Sequence, residues 1–372
     1  MTDVSMTAST RHVERIRRAS AGAVTDDLAA IVVAPSPDLA YLIGYDPPPL
    51  ERPTLLILRP DRGPVLLVPQ LERPLASDAG AGDIVELVPW PDHTDPYEAA
   101  TGLLPATGRI GLSDRILGIH VLRLQAAAPA LAWAPASGVL ARLRARKDPD
   151  ELDALRRAGA AADATFEDIR RLPFEGRTEA EIADDLRRLL VEHGHDVAEF
   201  AIVGSGPNGA SPHHEPTDRT IATRDPVVLD FGGALDGYYS DTTRTVIVGD
   251  PPADFEDVYR LVLEAHEAAL RSVRPGVPIQ EVDRAARGVI AAGGFGERFI
   301  HRTGHGIGRE VHERPNAVEG DDTPLEPGMT FSIEPGIYLE DRFGVRIEDI
   351  VAVTDDGVER LNRSPRELLR VI

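Results

Sequence analysis

Cysteine is absent from the 372-residue chain, which excludes disulfide bonds and metal sites built on thiolates. No apolar run approaches the roughly 20 residues that a membrane-spanning helix needs. The N-terminal residues MTDVSMTASTRHVERIRRAS also lack the apolar stretch of a secretory signal peptide. Together these absences favour a cytoplasmic protein that does not interact with membranes.

Basic residues are too few to balance the acidic ones. The chain has 40 Lys and Arg against 61 Asp and Glu, a formal net charge of −21. Because nucleic-acid-binding proteins need a basic face, this balance disfavours a nucleic-acid partner. A local basic run in residues 138–148, GVLARLRARKD, is interpreted as a solvated linker helix. The apolar fraction of 42% is sufficient for ordinary globular cores.

The length predicts about two domains of ~100–200 residues each, and we place their boundary near residue 140. Residues 1–140 read as a small α/β unit, with a polar helix at Arg11–Ala23 and helical segments at 70–79, 95–103 and 118–128. Gly, Pro and Asp punctuate short apolar runs, as expected for buried strands. These runs are Ala30–Ala34, Thr54–Leu58, Pro64–Val68, Ile84–Val88 and Arg109–Leu112, with a hairpin turn at Pro60–Gly63.

Residues 141–372 begin with two well-capped helices. Asp148 can cap a helix that has Pro149 in its first turn and runs to about Leu172. Thr178 and Glu181 form a capping box for a second helix that ends at Gly194. The later elements are helices at about 254–272 and 278–292 and strands at Glu199–Val203, Val227–Phe231, Tyr238–Val248, Met329–Ile333, Gly336–Leu339 and Val345–Val353.

A glycine pattern at 204–209, GSGPNG, matches the dinucleotide-binding fingerprint G-x-G-x-x-G and follows a predicted strand. That fingerprint binds a pyrophosphate only where it opens a helix. The next residues, ASPHHEP, contain two prolines and no helical apolar period. We therefore interpret the glycines as a turn that leads the chain to His213.

Five potential metal ligands follow in a fixed order, each in a short apolar or Gly-rich setting. Four buried carboxylates would repel one another unless cations neutralised them. The thiol-free, carboxylate-rich set favours two divalent ions, with Mn or Co ahead of Zn or Fe. Paired ions can activate a water and polarise a carbonyl group. The ligands are Asp230 in VVLDFGG, Asp241 in YYSDTTRT, His305 in RTGHGIG, Glu334 in FSIEPGIY and Glu348 in GVRIEDI.

This ordered series resembles the pita-bread-fold metallopeptidases, which include methionine aminopeptidase, aminopeptidase P and prolidase. The resemblance covers roughly residues 150–365. More loosely, the N-terminal half is similar to the creatinase-like domain of the proline-specific members. The resemblance implies an α/β (α+β) architecture, with a creatinase-like domain at 1–140 before a pita-bread catalytic domain at 141–372. It also implies cleavage of the Xaa-Pro bond in dipeptides or short peptides.

Residue roles follow from the resemblance. Asp230 would bind one ion, Asp241 and Glu348 would bridge both, and His305 and Glu334 would complete the second. Glu334 would also accept a proton during attack. His213, in SPHHEPT, matches the histidine that assists the tetrahedral intermediate or the leaving nitrogen, although the adjacent His214 could point inward instead. The implied catalytic residues are thus His213, Glu334 and His312, and the substrate-binding residues are His213, His301, His312, Tyr338 and Arg346.

Three other functions are compatible with the same fold. A metal-free creatinase-like hydrolase and a catalytically inactive binding module both conflict with the intact ligand set. A metal-dependent hydrolase or lyase that acts on a small non-peptide molecule remains open, as does the choice between dipeptides and longer Xaa-Pro-Yaa peptides. The resemblance also implies a homodimer. His214 stands where many relatives carry an aromatic residue, and His266 is expected on a helix surface.

Overall fold

The computed structural model describes residues 7–372 and divides into two compact units, one extending to Arg144 and the other from Ala145 to Ile372. The predicted boundary near residue 140 lies inside a helix, Ser137–Ala145. Residues 1–6, part of the sequence that argues against a signal peptide, lie outside the described residues. In the described part of the chain, no helix combines the length and apolar character needed to cross a bilayer.

The first unit is built on a six-stranded mixed sheet with strand order β4-β3-β2-β1-β5-β6. The predicted hairpin is confirmed, since β2 and β3 pair antiparallel and Arg59 lies opposite Arg62. The strands are β1 Ala30–Val33, β2 Leu55–Arg59, β3 Arg62–Pro69, β4 Glu86–Trp90, β5 Arg109–Leu112 and β6 Ala132–Pro135; the helices are α1 Ala8–Thr25, α2 Pro37–Ile43, α3 Arg73–Asp78, α4 Pro96–Leu103, α5 Gly118–Ala127 and α6 Ser137–Ala145.

Both faces of this sheet are covered, which explains its unbroken apolar strands. Ile31 and Val33 of β1 pack on one face with residues of α1, α2 and α6. The alternate residues Ala30 and Val32 pack on the other face with residues of α4 and α5. His120, in α5, is buried and hydrogen-bonds the Tyr97 hydroxyl and the Leu50 carbonyl oxygen.

The second unit combines two five-stranded sheets, one strand pair and four helices. One sheet has the order β18-β10-β8-β7 with β9 beside β8; the other has the order β12-β11-β13-β16-β17; and β14 pairs with β15. The helices are α7 Pro149–Ile169, α8 Glu179–Glu192, α9 Phe255–Ser272 and α10 Gln280–Ala292; the strands are β7 Val197–Ser205, β8 Pro226–Leu235, β9 Tyr238–Tyr239, β10 Thr242–Val248, β11 Gly304–Gly306, β12 Glu313–Ala317, β13 Thr330–Ile333, β14 Gly336–Leu339, β15 Phe343–Arg346, β16 Asp349–Val353, β17 Val358–Arg360 and β18 Leu369–Val371.

The helices of this unit cover the outer faces of its sheets. Helices α7 and α8 pack with β7, β8 and β10, and α9 and α10 pack with β13 to β16. Both predicted caps are present: Asp148 with Glu151 at the start of α7, and Thr178 with Glu181 at the start of α8. These caps satisfy backbone N–H groups that a helix start leaves without an intrahelical acceptor.

Four predictions about local structure need correction. The strand predicted at Tyr238–Val248 is divided into β9 and β10. The strand predicted at Val345–Val353 is interrupted between β15 and β16. His266 is buried completely because α9 turns it toward Asp349, 3.5 Å away. The basic run is not a uniformly solvated helix: Arg144 and Lys147 are buried in ion pairs with Asp38 and Glu313.

The glycine pattern at 204–209 forms no α-helix, as predicted. The chain leaves β7 through a short 3₁₀ turn, Gly206–Ala210. A methyl group on Gly209 would lie 3.0 Å from the Gly204 carbonyl oxygen and 3.4 Å from the Gly344 backbone nitrogen. The glycine thus allows close approach of backbone segments within the protein, with no helix to bind a pyrophosphate.

Candidate active site and metal centre

Two paired strands position the first two carboxylates. In the β8–β10 pair, Asp230 lies opposite Thr243, and Asp241 immediately precedes β10. Side chains of paired residues share a face of the sheet, and so do alternate residues along a strand. The turn after β8 contains Asp236 and Gly237, both with positive φ, and it returns the second aspartate beside the first.

The β11–β13 pair positions the next two ligands. The His305 N–H donates to Ser332 Oγ (2.9 Å), and the Glu334 N–H donates to the Thr303 carbonyl oxygen (2.8 Å). Gly304 is required for this approach, because a Cβ at that position would overlap the Ser332 carbonyl oxygen. The glycine-rich sequence therefore brings β11, which carries His305, close to β13, which Glu334 directly follows.

Glu348 lies in the interruption between β15 and β16. Its N–H donates to the Thr243 carbonyl oxygen (3.1 Å), and the Thr243 hydroxyl donates to Glu348 Oε2 (2.7 Å). The buried guanidinium of Arg244 donates to the Glu348 carbonyl oxygen (2.5 Å). Pairing is interrupted at this residue because the Glu348 N–H bonds to β10. The same contact directs the Glu348 carboxylate toward Asp241.

All five sequence-predicted ligands line one cavity of about 730 Å³. Ligand atoms of Asp241, His305 and Glu348 lie within 4.8 Å of one another. His305 Nε2 is 3.3 Å from Glu334 Oε1 and 3.6 Å from Asp241 Oδ2. Asp230 lines the same cavity. The structure thus brings together residues that span more than 100 positions of sequence.

The cavity carries more buried negative charge than its protein neighbours balance. Burial raises the pKa of Asp241 well above its usual range, and the carboxylates of Glu348, Asp230 and Glu334 raise it further. Burial and nearby carboxylates have the same effect on the pKa of Glu348. Burial raises the pKa of Glu334 to about 7, although Arg346 opposes the rise. Such a cluster favours a bound cation.

The arrangement of donor atoms fits a divalent cation. Asp230 Oδ1 and Glu348 Oε1 are buried and have no hydrogen-bond partner among residues 7–372. His305 Nδ1 lies 3.1 Å from the Gly306 carbonyl oxygen, which can only accept, so Nδ1 carries the proton and Nε2 keeps its lone pair toward the carboxylates. Burial lowers the pKa of His305 to about 3, which keeps the ring neutral. Oxygen-rich sets with imidazole suit Mn, Co, Fe or Zn.

A second group of residues forms an ordered chain beside the ligands. Arg346 donates from Nη2 to Asp230 Oδ2 (2.7 Å) and from Nη1 to the Tyr338 hydroxyl oxygen (2.9 Å). The hydroxyl proton is then directed to His301 Nε2 (2.8 Å), while His301 Nδ1 donates to the Arg302 carbonyl oxygen (2.7 Å). His301 and Arg346 line the cavity, and Tyr338 is buried behind them.

The two adjacent histidines of the SPHHEPT segment have different surroundings. His213 is exposed and lines the cavity. His214 Nε2 lies 2.8 Å from the buried carboxylate of Glu179. His312 also lines the cavity, with its ring edge-to-face against His305 at a centroid separation of 4.2 Å. Among the two neighbours, His213 is thus the one that faces the cavity.

Several residues in or near the cavity were not singled out from the sequence. Arg302, which lines the cavity, had a detectable signal, because it directly follows His301 in the HRTGHGIG motif. Glu179 lies outside the cavity lining and had no signal, because its hydrogen-bond partners are 26 to 38 residues away in the sequence. The other cavity-lining residues missed were Glu199, Phe200, Ile202, Pro212, Glu215 and Val311.

A carboxylate-rich ligand set at the base of a cavity, on a mixed α/β fold, defines a metal-dependent enzyme. Residues 153–355 match metallopeptidase family M24, and residues 15–146 match the creatinase/prolidase N-terminal domain. The chain belongs to family M24: it is a metallopeptidase with a creatinase-like N-terminal domain and a pita-bread catalytic domain. The predicted family, fold class and enzyme type are confirmed.

Individual relatives match nearly the whole chain. A probable dipeptidase PepE of Mycobacterium tuberculosis is 43% identical over 97% of this chain and 96% of its own. An Xaa-Pro dipeptidase of Lactobacillus helveticus is 36% identical over 89% of this chain and 91% of its own. The crystal structure of dipeptidase PepE from Mycobacterium ulcerans superposes with a TM-score of 0.94, at 42% identity, over 99% of this chain and 100% of that one.

Proposed function

We propose that the protein is a dipeptidase of the prolidase type, which hydrolyses the Xaa-Pro bond with two divalent metal ions, Mn or Co in preference to Zn or Fe. The observation that carries the proposal is the convergence of four carboxylates and a neutral histidine at the base of one cavity. The names of the relatives support the substrate class: one is a probable dipeptidase and another an Xaa-Pro dipeptidase.

The five ligands would divide the metal binding between them. Asp230 would bind one ion, Asp241 and Glu348 would bridge the pair, and His305 and Glu334 would bind the second. When bound, the ions supply a polarised substrate carbonyl group and a water of lowered pKa. Two buried oxygens without a hydrogen-bond partner among the described residues, Asp230 Oδ1 and Glu348 Oε1, support this use of both residues as ligands.

The protein supplies proton transfer through its own side chains. Glu334 Oε1 accepts a hydrogen bond from Ser332 Oγ (3.1 Å), which orients the carboxylate that we propose as the proton acceptor. His213 and His312 line the same cavity and are the proposed donors to the tetrahedral intermediate and the departing proline nitrogen. General acid–base groups of this kind contribute roughly 10²–10⁴-fold to a rate.

The cavity wall carries groups suited to both ends of a dipeptide. Glu199 and Glu215 line the cavity and offer carboxylates to the free ammonium group. Arg302 also lines it; its Nη1 donates to Asn316 Oδ1 (2.9 Å). A guanidinium has five N–H donors, so it can also bind the terminal carboxylate. His301 and Arg346 complete the proposed substrate wall, with Tyr338 holding both.

Metal analysis combined with a substrate panel tests the proposal. The purified protein is expected to bind about two Mn or Co ions per chain and to cleave Ala-Pro or Leu-Pro faster than Ala-Pro-Ala. Glu334→Ala should abolish turnover, and Asp241→Ala should lower the metal content. If the protein loaded with Mn or Co cleaves none of the three peptides, the proposed peptidase specificity is refuted. An unchanged metal content in Asp241→Ala would refute the bridging role.

The assembly and location are part of the same proposal. A homodimer in the cytoplasm is expected, with the domain boundary near residue 140. Light scattering of the purified protein measures the oligomeric state, and fractionation of the producing cells measures the location. A monomeric mass at working concentration would contradict the dimer.

A further inference from the structure

Glu179, the first residue of α8, is a fully buried carboxylate outside the metal centre. Its Oε1 accepts hydrogen bonds from the Ser205 N–H (2.8 Å), Ser205 Oγ (2.7 Å) and Asn208 Nδ2 (3.0 Å). Its Oε2 accepts from His214 Nε2 (2.8 Å), the Thr217 N–H (3.1 Å) and Thr217 Oγ1 (2.8 Å). One side chain therefore holds the whole segment 205–217 at both of its ends.

Capping of α8 does not require this carboxylate. Thr178 and Glu181 already form the capping box at the same helix start, and Glu181 lies at the surface. Burial alone raises the pKa of Glu179, but hydrogen bonds from His214, Ser205 and Thr217 outweigh burial and hold the pKa at about 2. A buried charge kept at this cost in desolvation needs its donors in fixed positions.

His213 lies between two anchors of the segment. On one side, Arg346 Nη1 donates to the Pro212 carbonyl oxygen (3.4 Å). On the other, His214 is bound to Glu179. The imidazole of His213 is itself exposed, so its place in the cavity depends on the backbone that carries it.

We propose that Glu179 is a positioning residue for peptide hydrolysis: its carboxylate fixes segment 205–217 so that His213 faces the reacting bond. This inference rests on the proposed function, since it assigns His213 to the reaction. Misplacement of a catalytic group by about 1 Å can cost on the order of 10²-fold in rate without weakening substrate binding. The effect of Glu179 should therefore be found in kcat, and only while His213 is present.

Glu179→Gln tests the role while it preserves the size of the side chain. Its amide group cannot accept all the hydrogen bonds that the two oxygens accept. We expect kcat to fall about 100-fold, with KM within about threefold and metal content unchanged. Glu181→Gln is the matched control, because it alters an exposed carboxylate of the same helix turn, and its kcat should remain within about twofold of the wild type. Wild-type kcat in Glu179→Gln would overturn the proposal.

A double-mutant cycle separates positioning from general stability. In a His213→Ala background, Glu179→Gln should change kcat by less than about twofold, because the group that it positions is gone. An equal loss in both backgrounds would show a structural role and refute the proposal. If Glu179→Gln does not fold, His214→Phe removes one donor; it should lower kcat about tenfold, again only when His213 is present, and an unchanged kcat would count against the proposal.

A structural measurement distinguishes this inference from the proposed function. Suppose the wild-type protein cleaves no peptide in the panel; the proposed function then fails. A crystal structure of Glu179→Gln still shows whether His213 depends on the carboxylate. A shift of the His213 backbone by about 1 Å or more supports positioning, whereas an unchanged segment 205–217 refutes it.

Discussion

At the scale of single residues, the base of the cavity is crowded with carboxylates, whereas its wall carries both signs of charge, with Arg302 as well as Glu199 and Glu215. The base holds carboxylates that repel one another, and Arg346 contacts only one of them directly, Asp230. Arg302, on the wall, lowers the pKa of Glu334 without a direct bond. A substrate carboxylate would therefore be favoured beside Arg302 and disfavoured at the base.

Arg302→Gln should raise KM for dipeptides more than for blocked substrates. The guanidinium would lose a charge-assisted hydrogen bond to the terminal carboxylate, which contributes about 1.5–3 kcal/mol, or roughly 10–100-fold. Ala-Pro and its C-terminal amide form the matched substrate pair, because only the first carries the charge. Equal KM changes for both would contradict carboxylate recognition by Arg302. Arg309→Gln, a control outside the cavity lining, should leave both KM values unchanged.

Two neighbouring cations just before α7, Arg146 and Lys147, differ in burial. Lys147 pairs with Glu313 at 2.6 Å, with both side chains buried, whereas Arg146 pairs with Glu326 at 3.3 Å with both about half exposed. Lys147→Met should lower the free energy of unfolding by about 3–5 kcal/mol, because it breaks a buried ion pair by removing one of its two charges. Arg146→Met should cost less than about 1 kcal/mol. Urea denaturation measures both; equal losses would contradict the difference in burial.

These residues show what sequence alone could and could not predict. The capping residues Asp148 and Thr178 were correct because their partners lie three residues away. The predictions that Lys147 and His266 are exposed were wrong, because each side chain is buried against a partner more than 80 residues away in the sequence. The cavity residues that we propose as metal ligands stand in short motifs, but no local pattern marks Glu179 as the proposed anchor of His213.

At the scale of elements, the site depends on strands whose backbones lie so close together that only glycine fits between them, as at Gly304 of β11. The predicted long strand at 345–353 was wrong because the N–H groups of its two middle residues leave the sheet: Glu348 donates to Thr243 of β10, and Ile347 donates to Pro335. The strand β11 and its partner β12 were not predicted, since a three-residue strand rich in glycine has no apolar alternation. Its glycines allow close approach on two sides: Gly304 to Ser332 of β13, and Gly306 to Arg314 of β12.

Gly304→Ala should disrupt the site through its backbone. The added methyl group would overlap the Ser332 carbonyl oxygen, which forces β11 away from β13 and displaces His305. We expect a loss of more than about 2 kcal/mol of stability and weaker metal binding. Gly288→Ala is the control: it lies inside α10 with open space around it, and it should stabilise the protein by about 0.5–1 kcal/mol. Calorimetric titration and thermal unfolding measure these effects.

At the scale of the whole molecule, the metal-free protein carries an electrostatic penalty in its core. The folded-state pKa of Asp241 is raised above its usual value, so the folded chain binds more protons than the unfolded chain once the pH exceeds that usual value. The stability of the metal-free protein should therefore fall as the pH rises from about 4 toward the raised pKa. Bound divalent ions should remove this dependence.

Asp241→Asn should consequently stabilise the protein in the presence of a chelator, although it weakens metal binding. Removal of one repelling charge is expected to raise the free energy of unfolding by about 1–3 kcal/mol at pH 7. Glu179→Gln provides the contrast, because hydrogen-bond donors outweigh burial and lower the pKa of that carboxyl to about 2, so its loss should destabilise. Denaturation in EDTA measures both, and destabilisation by Asp241→Asn would refute the repulsion argument.

The cluster of carboxylates also bears on how long each molecule survives in a cell. Chains that acquire no metal open more often, and open chains are the ones that proteases degrade. When divalent cations are scarce, the amount of this enzyme should therefore decline through faster turnover, in addition to any loss of activity per molecule. The proposed metal ligands would then also couple the abundance of the protein to the supply of its metal.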